Sequence, residues 1–369
     1  MYSPRRFLIS LLGALFILAA TLLLIGYGRG WRFNPETRDL SKTGLLSASS
    51  WPSGASVFID GRLTTATDST VQLPPGVYQV QISKDGYLPW EKSIPVQPEL
   101  VYETNARLFP AAPELKPLTL TGAVSPVLSP DNDKITYAVA SSSAQKAGVW
   151  VINMKEHPLS LGGNQRQIVK DTPRLTWAKA KFTWTPDSLS VLASFPDGSN
   201  YLLDATRLNT PEKIFDVTAT LSRLKAEWED ERKIQEDARL ARLPEPAQKI
   251  ASGSALVKIS QDETKLLLQK PEDTDSYLVY DIKDDKTFSI PVAKEVYWLP
   301  EPENRHLILV EDNTISVVEY EGTNKMTLYS GYFEEKVAYP WPDGLQLVIL
   351  TNFNFAAGVV SNLYTLSLR

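Results

Sequence analysis

An all-β fold behind one N-terminal transmembrane helix is predicted by three features of the sequence. A run of 21 residues from Phe7 to Tyr27 carries no charge. From Gly44 onward, apolar and polar residues alternate with a period of two between Gly, Pro and Asp turns, which is typical of short antiparallel strands. From Leu115 to the end, units of strand, turn and strand recur. We therefore expect a membrane helix, a small β-sandwich and a five- or six-bladed β-propeller with one helical insertion.

The composition excludes several classes of site. The 369 residues contain no cysteine and only two histidines, His157 and His306. Disulfide scaffolds, thiolate metal sites and cysteine nucleophiles are thereby excluded, and histidine-rich metal sites are disfavoured. The formal net charge of −5 argues against a nucleic-acid-binding protein.

The N-terminal run is long enough to cross a membrane, because a helix of that length reaches about 31 Å. A cleavable signal peptide is the alternative, but its apolar region spans only about 7–15 residues. The segment that follows here, Leu-Leu-Leu-Ile-Gly-Tyr-Gly-Arg, is also a poor cleavage sequence. We predict a cytoplasmic N-terminus at 1–6, an uncleaved signal anchor at 7–27 and a linker at 28–43.

The orientation of this anchor follows from the size of the body rather than from charge. Basic residues lie on both sides of the run, so the positive-inside rule favours neither orientation. Only a few residues precede the run, and a large β-rich body follows it. We expect a single-pass protein of the cell membrane with its body outside the cytoplasm.

Residues 44–109 predict a compact sandwich of short strands joined by tight turns. Asp60-Gly61 is a strong hairpin signal, and Pro74-Pro75-Gly76 marks a second turn. The run from Ser50 to Gly61, the Pro-Gly-x-Tyr element ending at Tyr78, and Gly86-Tyr87 together resemble the PEGA domain. Ser53 stands where the glutamate of the name motif is usual. The resemblance implies a β-sandwich of surface and envelope proteins, and it brings no catalytic residues.

Five repeat units follow, with their turns near residues 130, 186, 261, 300 and 342. The last two spacings are about forty residues, the length of one four-stranded propeller blade. Trp184, Trp298 and Trp341 precede these turns, and we interpret them as packing residues between blades. The Ser-Pro-Asp and Trp-x-Pro-Asp turns resemble the repeats of TolB-like propellers, which implies a propeller over 110–369. Five blades are expected, or six if the segment 115–127 supplies strands to another blade.

The combination of anchor, PEGA domain and TolB-like propeller also resembles a group of uncharacterised bacterial envelope proteins. That resemblance implies an architecture and a location without an activity.

An insertion at 218–243 predicts a highly charged helix between two repeats, ended by Pro244 and Pro246. Leu221, Leu224, Trp228 and Ile234 are interpreted as its narrow apolar stripe. A solvated helix lying across one propeller face is one interpretation. The other makes Trp228 part of a partner-binding arm or a lid, and Trp228 is the one candidate contact residue.

No nucleotide, nucleophile-elbow or zinc-protease motif is present. Asp131-Asn132-Asp133 and Asp284-Asp285 occupy expected β-turns, where these residues bond to their own backbone. We therefore expect no catalytic residue, no cofactor and no metal ion, although an acidic pair in the central channel would suit a glycan-processing enzyme.

The function expected from the sequence is that of a non-enzymatic binding or scaffold protein of the cell envelope. Its sandwich and propeller surfaces would contact an envelope protein or a cell-wall polymer. An accessory subunit of a membrane complex, using the helical insertion, is the main alternative. A glycan-processing propeller enzyme is the less favoured one.

Overall fold

A computed structural model describes residues 4–28, 31–34, 39–141, 143, 145–155, 164–270, 273–302, 304–334, 337–352 and 360–369. The chain divides into two compact units, Met1–Ala111 and Ala112–Arg369.

The first unit begins with helix α1, Pro4–Gly28. Within it, Leu8–Gly28 is long and apolar enough to span a membrane, and none of this segment is buried in the protein. The segment predicted as a linker contains an antiparallel hairpin of β1 (Trp31–Asn34) and β2 (Asp39–Lys42).

The β-sandwich of this unit has nine further short strands: β3 (Gly44–Ala48), β4 (Ser50–Trp51), β5 (Ser56–Ile59), β6 (Arg62–Ala66), β7 (Ser69–Leu73), β8 (Gly76–Ser83), β9 (Trp90–Val96), β10 (Val101–Glu103) and β11 (Ala106–Arg107). They pair in the orders β10-β3-β7, β6-β5-β8-β9 and β11-β4. Alternate residues of β5, β8 and β9 face a core in which Trp90 and Ile82 are fully buried. Burial of these side chains stabilises a domain near the lower size limit for independent folding.

In the second unit the described residues form five four-stranded sheets, which we number as blades in chain order. Blade 1 contains β13 (Val124–Leu128), β14 (Lys134–Val139), β15 (Gly148–Asn153) and β16 (Gln165–Lys170). Blade 2 contains β17 (Lys181–Trp184), β18 (Ser190–Ser194), β19 (Asn200–Asp204) and β20 (Phe215–Asp216). Blade 3 contains β21 (Leu256–Ile259), β22 (Lys265–Lys270), β23 (Asp273–Asp281) and β24 (Lys286–Ile290).

Blade 4 contains β25 (Glu295–Trp298), β26 (His306–Val310), β27 (Thr314–Glu319) and β28 (Met326–Ser330). Blade 5 contains β29 (Ala338–Pro340), β30 (Gln346–Thr351) and β31 (Asn362–Ser367), completed by β12 (Leu115–Pro117) from the start of the unit. Leu115 pairs with Leu366, so the two ends of the unit meet in one sheet. The segment 115–127 therefore supplies one strand to blade 5 and one to blade 1, and no sixth sheet results among the described residues. Single-turn 3-10 helices lie at Trp177–Lys179, Pro211–Lys213 and Thr218–Thr220.

Neighbouring blades pack face to face through apolar clusters. One cluster joins blades 1 and 2, a second joins blades 5 and 1, and a third joins blades 3 and 4. The indoles of Trp184 and Trp298 each donate a hydrogen bond of 3.0 Å to the preceding blade, to Val127 O and Lys258 O. Trp341 lies one position later and packs between blades 5 and 1. The predicted packing role of the tryptophans is thus seen in two different registers.

The insertion differs from its prediction as a single helix. Helix α2 spans Leu221–Leu240, and a second helix, α3, spans Glu245–Ser252 with Pro246 in its first turn. Proline is tolerated there because the first helical amides have no intrahelical acceptor. The prolines therefore separate two helices instead of ending the helical segment. Ile234 is also not part of the apolar stripe: it is 68% exposed, and at 100° per residue it points well away from Trp228.

Helix α3 covers the face of blade 3 that, in blades 2 and 4, packs on the preceding blade. Ala247 and Ala251 of α3 are buried against Leu266, Leu268 and Tyr280 of that face. The second helix of the insertion is therefore packed on blade 3.

Candidate functional site

The turns between the first and second strands of the blades share one construction. In blades 1, 2, 3 and 5 the first turn amide donates to the carbonyl five residues later, as from Ser129 to Lys134 at 2.8 Å. The aspartate two residues after this position accepts a backbone N–H at 2.8–3.2 Å. These aspartates are Asp131, Asp187, Asp262 and Asp343. The Pro-Asp signature is therefore explained by turn geometry.

Hydrogen bonds inside two of these turns lower the pKa of the aspartate, in Asp131 and in Asp262. Burial acts to raise the pKa of Asp131, but bonds from Lys134, Ser129 and the Asp133 amide outweigh it and lower the pKa below its usual value. The described part of the chain contains no group of three or more His, Asp or Glu residues able to hold a metal ion.

The second acidic pair considered from the sequence also lies in a turn, between β23 and β24. Asp285 accepts a hydrogen bond of 2.8 Å from the hydroxyl of Tyr280, while Asp284 is exposed.

Blade 4 carries a longer turn in which Glu301 replaces the aspartate. Its first amide, on Leu299, donates to His306 O, seven residues later, at 3.0 Å. Glu301 Oε1 accepts the amides of Arg305 and His306 at 2.8 Å each and lies 2.7 Å from His306 Nδ1. His306 is only 1% exposed, so this pair stabilises the turn from the inside.

The turns of blades 3, 4 and 5 line an open groove of about 370 Å³. Its lining includes three prolines and three carboxylates: Pro300, Pro302, Pro342, Asp262, Glu301 and Asp343. Each carboxylate is already bonded within its own turn. The groove is therefore an acidic surface, and the carboxylates that the structure describes there are engaged in turn hydrogen bonds.

A second cluster lies where the first strands of the blades approach one another. Lys258 Nζ donates to Val296 O at 2.9 Å and lies 4.9 Å from the ring centroid of Tyr297. The rings of Tyr297 and Tyr339 meet edge to face at 6.1 Å, and the Tyr339 hydroxyl donates to Pro126 O at 3.1 Å. We call Lys258, Tyr297 and Tyr339 the axial cluster. It links blades 3, 4, 5 and 1.

Burial dominates the electrostatics of the axial cluster. Burial lowers the pKa of Lys258, and the negative charge of Glu295 partly opposes this. Burial is also the main cause that raises the pKa of Tyr297, which keeps its hydroxyl neutral. Glu295 is the one carboxylate on the five first strands.

Helix α2 presents the residue that the sequence singled out. Trp228 is half-buried beside Leu221 and Leu224, and no residue of the 20-residue helix is fully buried. Ion pairs along the helix join Arg223 to Glu227 at 3.3 Å and Arg232 to Glu229 at 2.8 Å. Such pairs contribute only a few tenths of a kcal/mol each, so α2 is a solvated arm.

The structure does not bring Trp228 together with the groove or the axial cluster in any contact that we observe. Neither feature was singled out from the sequence. The signal for the axial cluster is a register: Lys258, Tyr297 and Tyr339 each stand three residues before the proline-like turn position.

Comparison with known proteins assigns the first unit. Residues 43–112 match the PEGA domain. This confirms the resemblance drawn from the Pro-Ser-Gly-Ala, Asp-Gly and Gly-Tyr elements. The PEGA domain accounts for the β3–β11 sandwich. No curated protein matches the chain.

Solved structures similar to this chain include TolB of Acinetobacter baumannii, at 13% identity and a TM-score of 0.25 over 79% of this chain. The chain spans 59% of the length of that TolB. TolB of Agrobacterium tumefaciens is similar at 13% identity and a TM-score of 0.24, over 64% of this chain and 73% of its own. The AfRom2 CNH domain is similar at 8% identity and a TM-score of 0.34, over 69% and 99%. These similarities concern the fold alone. The description of the second unit as a propeller that follows a PEGA domain rests on its five sheets.

Proposed function

We propose that this chain is a membrane-anchored binding or scaffold protein of the bacterial cell envelope, with its PEGA domain and propeller outside the cytoplasm. The observation that carries the proposal is helix α2. A 20-residue helix reaches about 30 Å, yet none of the side chains of α2 is fully buried in the protein. A highly charged helix with only a narrow, half-buried apolar stripe gains little from packing on its own chain, so contact with a partner is the role it fits.

A binding role also agrees with the chemistry of the propeller. Glycoside hydrolysis by the usual mechanism needs two carboxyl groups facing the scissile bond. The first strands supply one, Glu295, and the groove carboxylates are engaged by turn amides. These observations favour a non-catalytic role over a glycan-processing enzyme.

The same helix favours a protein partner, as in an accessory subunit of a membrane complex. Five basic and six acidic side chains alternate along α2, which suits a polar surface on another protein. A cell-wall polymer remains the second candidate, since the PEGA domain presents an independent surface.

Photo-crosslinking in intact cells tests the proposal. A photoreactive residue replaces Ile234 or Trp228 in the full-length protein, and Val292, 63% exposed in the blade 3–4 connection, is the matched control. We expect one discrete adduct from both α2 positions and none from Val292.

The converse result would contradict α2 as the contact surface: no adduct from either α2 position, or the same adducts from Val292. Co-sedimentation with isolated cell-wall material then separates the candidates. Binding to the wall that survives deletion of residues 222–239 would assign the polymer contact to another surface.

A further inference from the structure

One end of the PEGA domain gathers the starts and ends of several strands. Gly44 pairs with Leu73, and Gly76 pairs with Val96, so the β7–β8 and β9–β10 connections lie side by side. The amide of Leu45 donates to Leu100 O at 2.9 Å, which brings the start of β3 to the same place. This is also the end at which the chain arrives from α1.

Exposed aliphatic side chains concentrate at this end. Leu45 is 37% exposed, Val77 69%, Leu100 48% and Val101 57%. Val101 is the direct cross-strand neighbour of Leu45. Pro74, Pro75 and Pro98 in the two connections are exposed as well. Leu45 and Val101 lie on the outer side of the β10-β3-β7 sheet and Val77 on the outer side of the β6-β5-β8-β9 sheet, so they border this end from two sides. We call Leu45, Val77, Leu100 and Val101 the end patch.

Charges of opposite sign are balanced at this end. Lys42 and Glu99 form an ion pair of 3.1 Å, and the β5–β6 turn beside the start of β8 carries the exposed Asp60 and Arg62. The Asp60 carboxylate accepts the amide of Gln79 at 2.9 Å. The opposite end of the domain carries Lys84, which donates to Ser53 O, the exposed Asp85 in the same turn, and Trp51, which is 45% exposed. The end that carries the end patch is therefore better suited to an apolar environment than the opposite end is.

The tether restricts where the end patch can lie. Fifteen residues, 29–43, separate Gly28, the last residue of α1, from Gly44, so the Cα atoms of the two glycines lie at most about 55 Å apart. The β1–β2 hairpin folds part of this length back on itself. At the other end, the Ala111 amide donates to Gly86 O at 2.9 Å, where the chain leaves the unit.

We infer that the end patch rests in the interfacial layer of the same membrane that α1 crosses, as a second, non-covalent contact of the PEGA domain with lipid. Apolar side chains without net charge gain from burial at the boundary of headgroups and acyl chains. The inference rests on the retained anchor of the proposed function and is independent of the partner of α2.

The absence of cysteine allows a direct test on the full chain in lipid nanodiscs. Single cysteines replace Val77 or Leu100 and carry an environment-sensitive fluorophore. Leu63 on β6, 65% exposed, is the matched aliphatic control, and Asp85 marks the polar end. We expect blue-shifted emission and shielding from aqueous quenchers at positions 77 and 100, and aqueous emission at positions 63 and 85.

Two further measurements make the result decisive. A label at Leu15 in α1 reports whether the anchor itself is inserted, which separates failure of the anchor from failure of the patch. With the anchor inserted, aqueous emission at positions 77 and 100 would overturn the inference. The double variant Val77→Glu/Val101→Glu, with unchanged thermal unfolding, should return the Leu100 label to aqueous emission; continued shielding would also overturn it.

Discussion

At the level of single residues, the indoles of Trp184 and Trp298 make equivalent contacts in two blades. Each fills the face of its own blade and donates to a carbonyl of the preceding first strand. Trp341 looks equivalent in the sequence but stands one position closer to its turn. The recurrence of tryptophan therefore predicted that these side chains pack in the blades. The indole hydrogen bond depends in addition on the position of the tryptophan relative to the turn, which the residue type alone does not determine.

Replacing Trp298 with Phe keeps much of the apolar surface and removes the donor to Lys258 O. We expect a loss of about 1–2 kcal/mol in the free energy of unfolding, because the carbonyl loses its partner and some volume is lost. Urea unfolding of the purified protein measures this. Trp228→Phe on the exposed helix is the control and should change the free energy by less than about 0.5 kcal/mol. Equal effects at the two positions would contradict the assigned role of Trp298.

Gly344 is required by its surroundings as well as by its backbone. Its φ is +67°, and a Cβ there would lie 1.7 Å from Pro300 O of the neighbouring blade. Gly198 has a φ of +88° with nothing within 4 Å of such a Cβ. Gly198→Ala should therefore cost about 1–2 kcal/mol from backbone strain alone. Gly344→Ala should cost substantially more, since the blade contact must open; thermal unfolding of the two variants compares them, and equal shifts would refute the close approach.

The turn aspartates predict a dependence of stability on acid. The pKa of Asp131 is lowered in the folded protein, so its stabilising contribution is complete above the ordinary carboxyl pKa and is lost as the pH falls through the folded value. We expect Asp131→Asn to unfold more easily at pH 7 than the natural protein and to show a smaller further loss on acidification. The exposed Asp284→Asn is the control. Parallel pH profiles for Asp131→Asn and the natural protein would contradict this role.

At the scale of elements, the repeats were predictable because each blade repeats the same local chemistry. An apolar strand, a Pro-Asp-type turn and a second apolar strand recur five times, and five sheets result. The use of β12 in blade 5 was not predictable, since its pairing with β31 joins residues about 250 positions apart and leaves no local pattern. Helix α3 was missed because two prolines suggested an end where one of them begins a new helix.

The two helices of the insertion differ in how much they contribute to stability. Ala247 of α3 is fully buried against blade 3, while Ala226 of α2 is exposed. Ala247→Asp should lower the free energy of unfolding by at least about 3 kcal/mol, because it buries a charge without a partner. Ala226→Asp should change it by less than about 0.5 kcal/mol. Denaturant unfolding of both variants measures these changes. Similar losses of free energy of unfolding in the two variants would mean that α2 also packs on the body of the protein.

In the whole molecule, an apolar N-terminal helix precedes a PEGA domain and five propeller blades with an exposed helical arm. The apolar run, the PEGA turns and the blade repeat could be found in the sequence, because each depends on local residue order. The groove and the axial cluster could not, because they depend on which turns and first strands meet in space. Trp228 as a partner contact remains a prediction.

We propose that the body of the protein lies outside the cytoplasm with α2 available for contact. Trypsin added to intact spheroplasts tests it directly, since α2 carries exposed Arg223, Lys225 and Arg232 on a helix with no fully buried residue. We expect early cleavage within 221–240, mapped by the masses of the fragments, while a cytoplasmic marker protein stays intact. Cleavage that appears only after the spheroplasts are lysed would contradict the account.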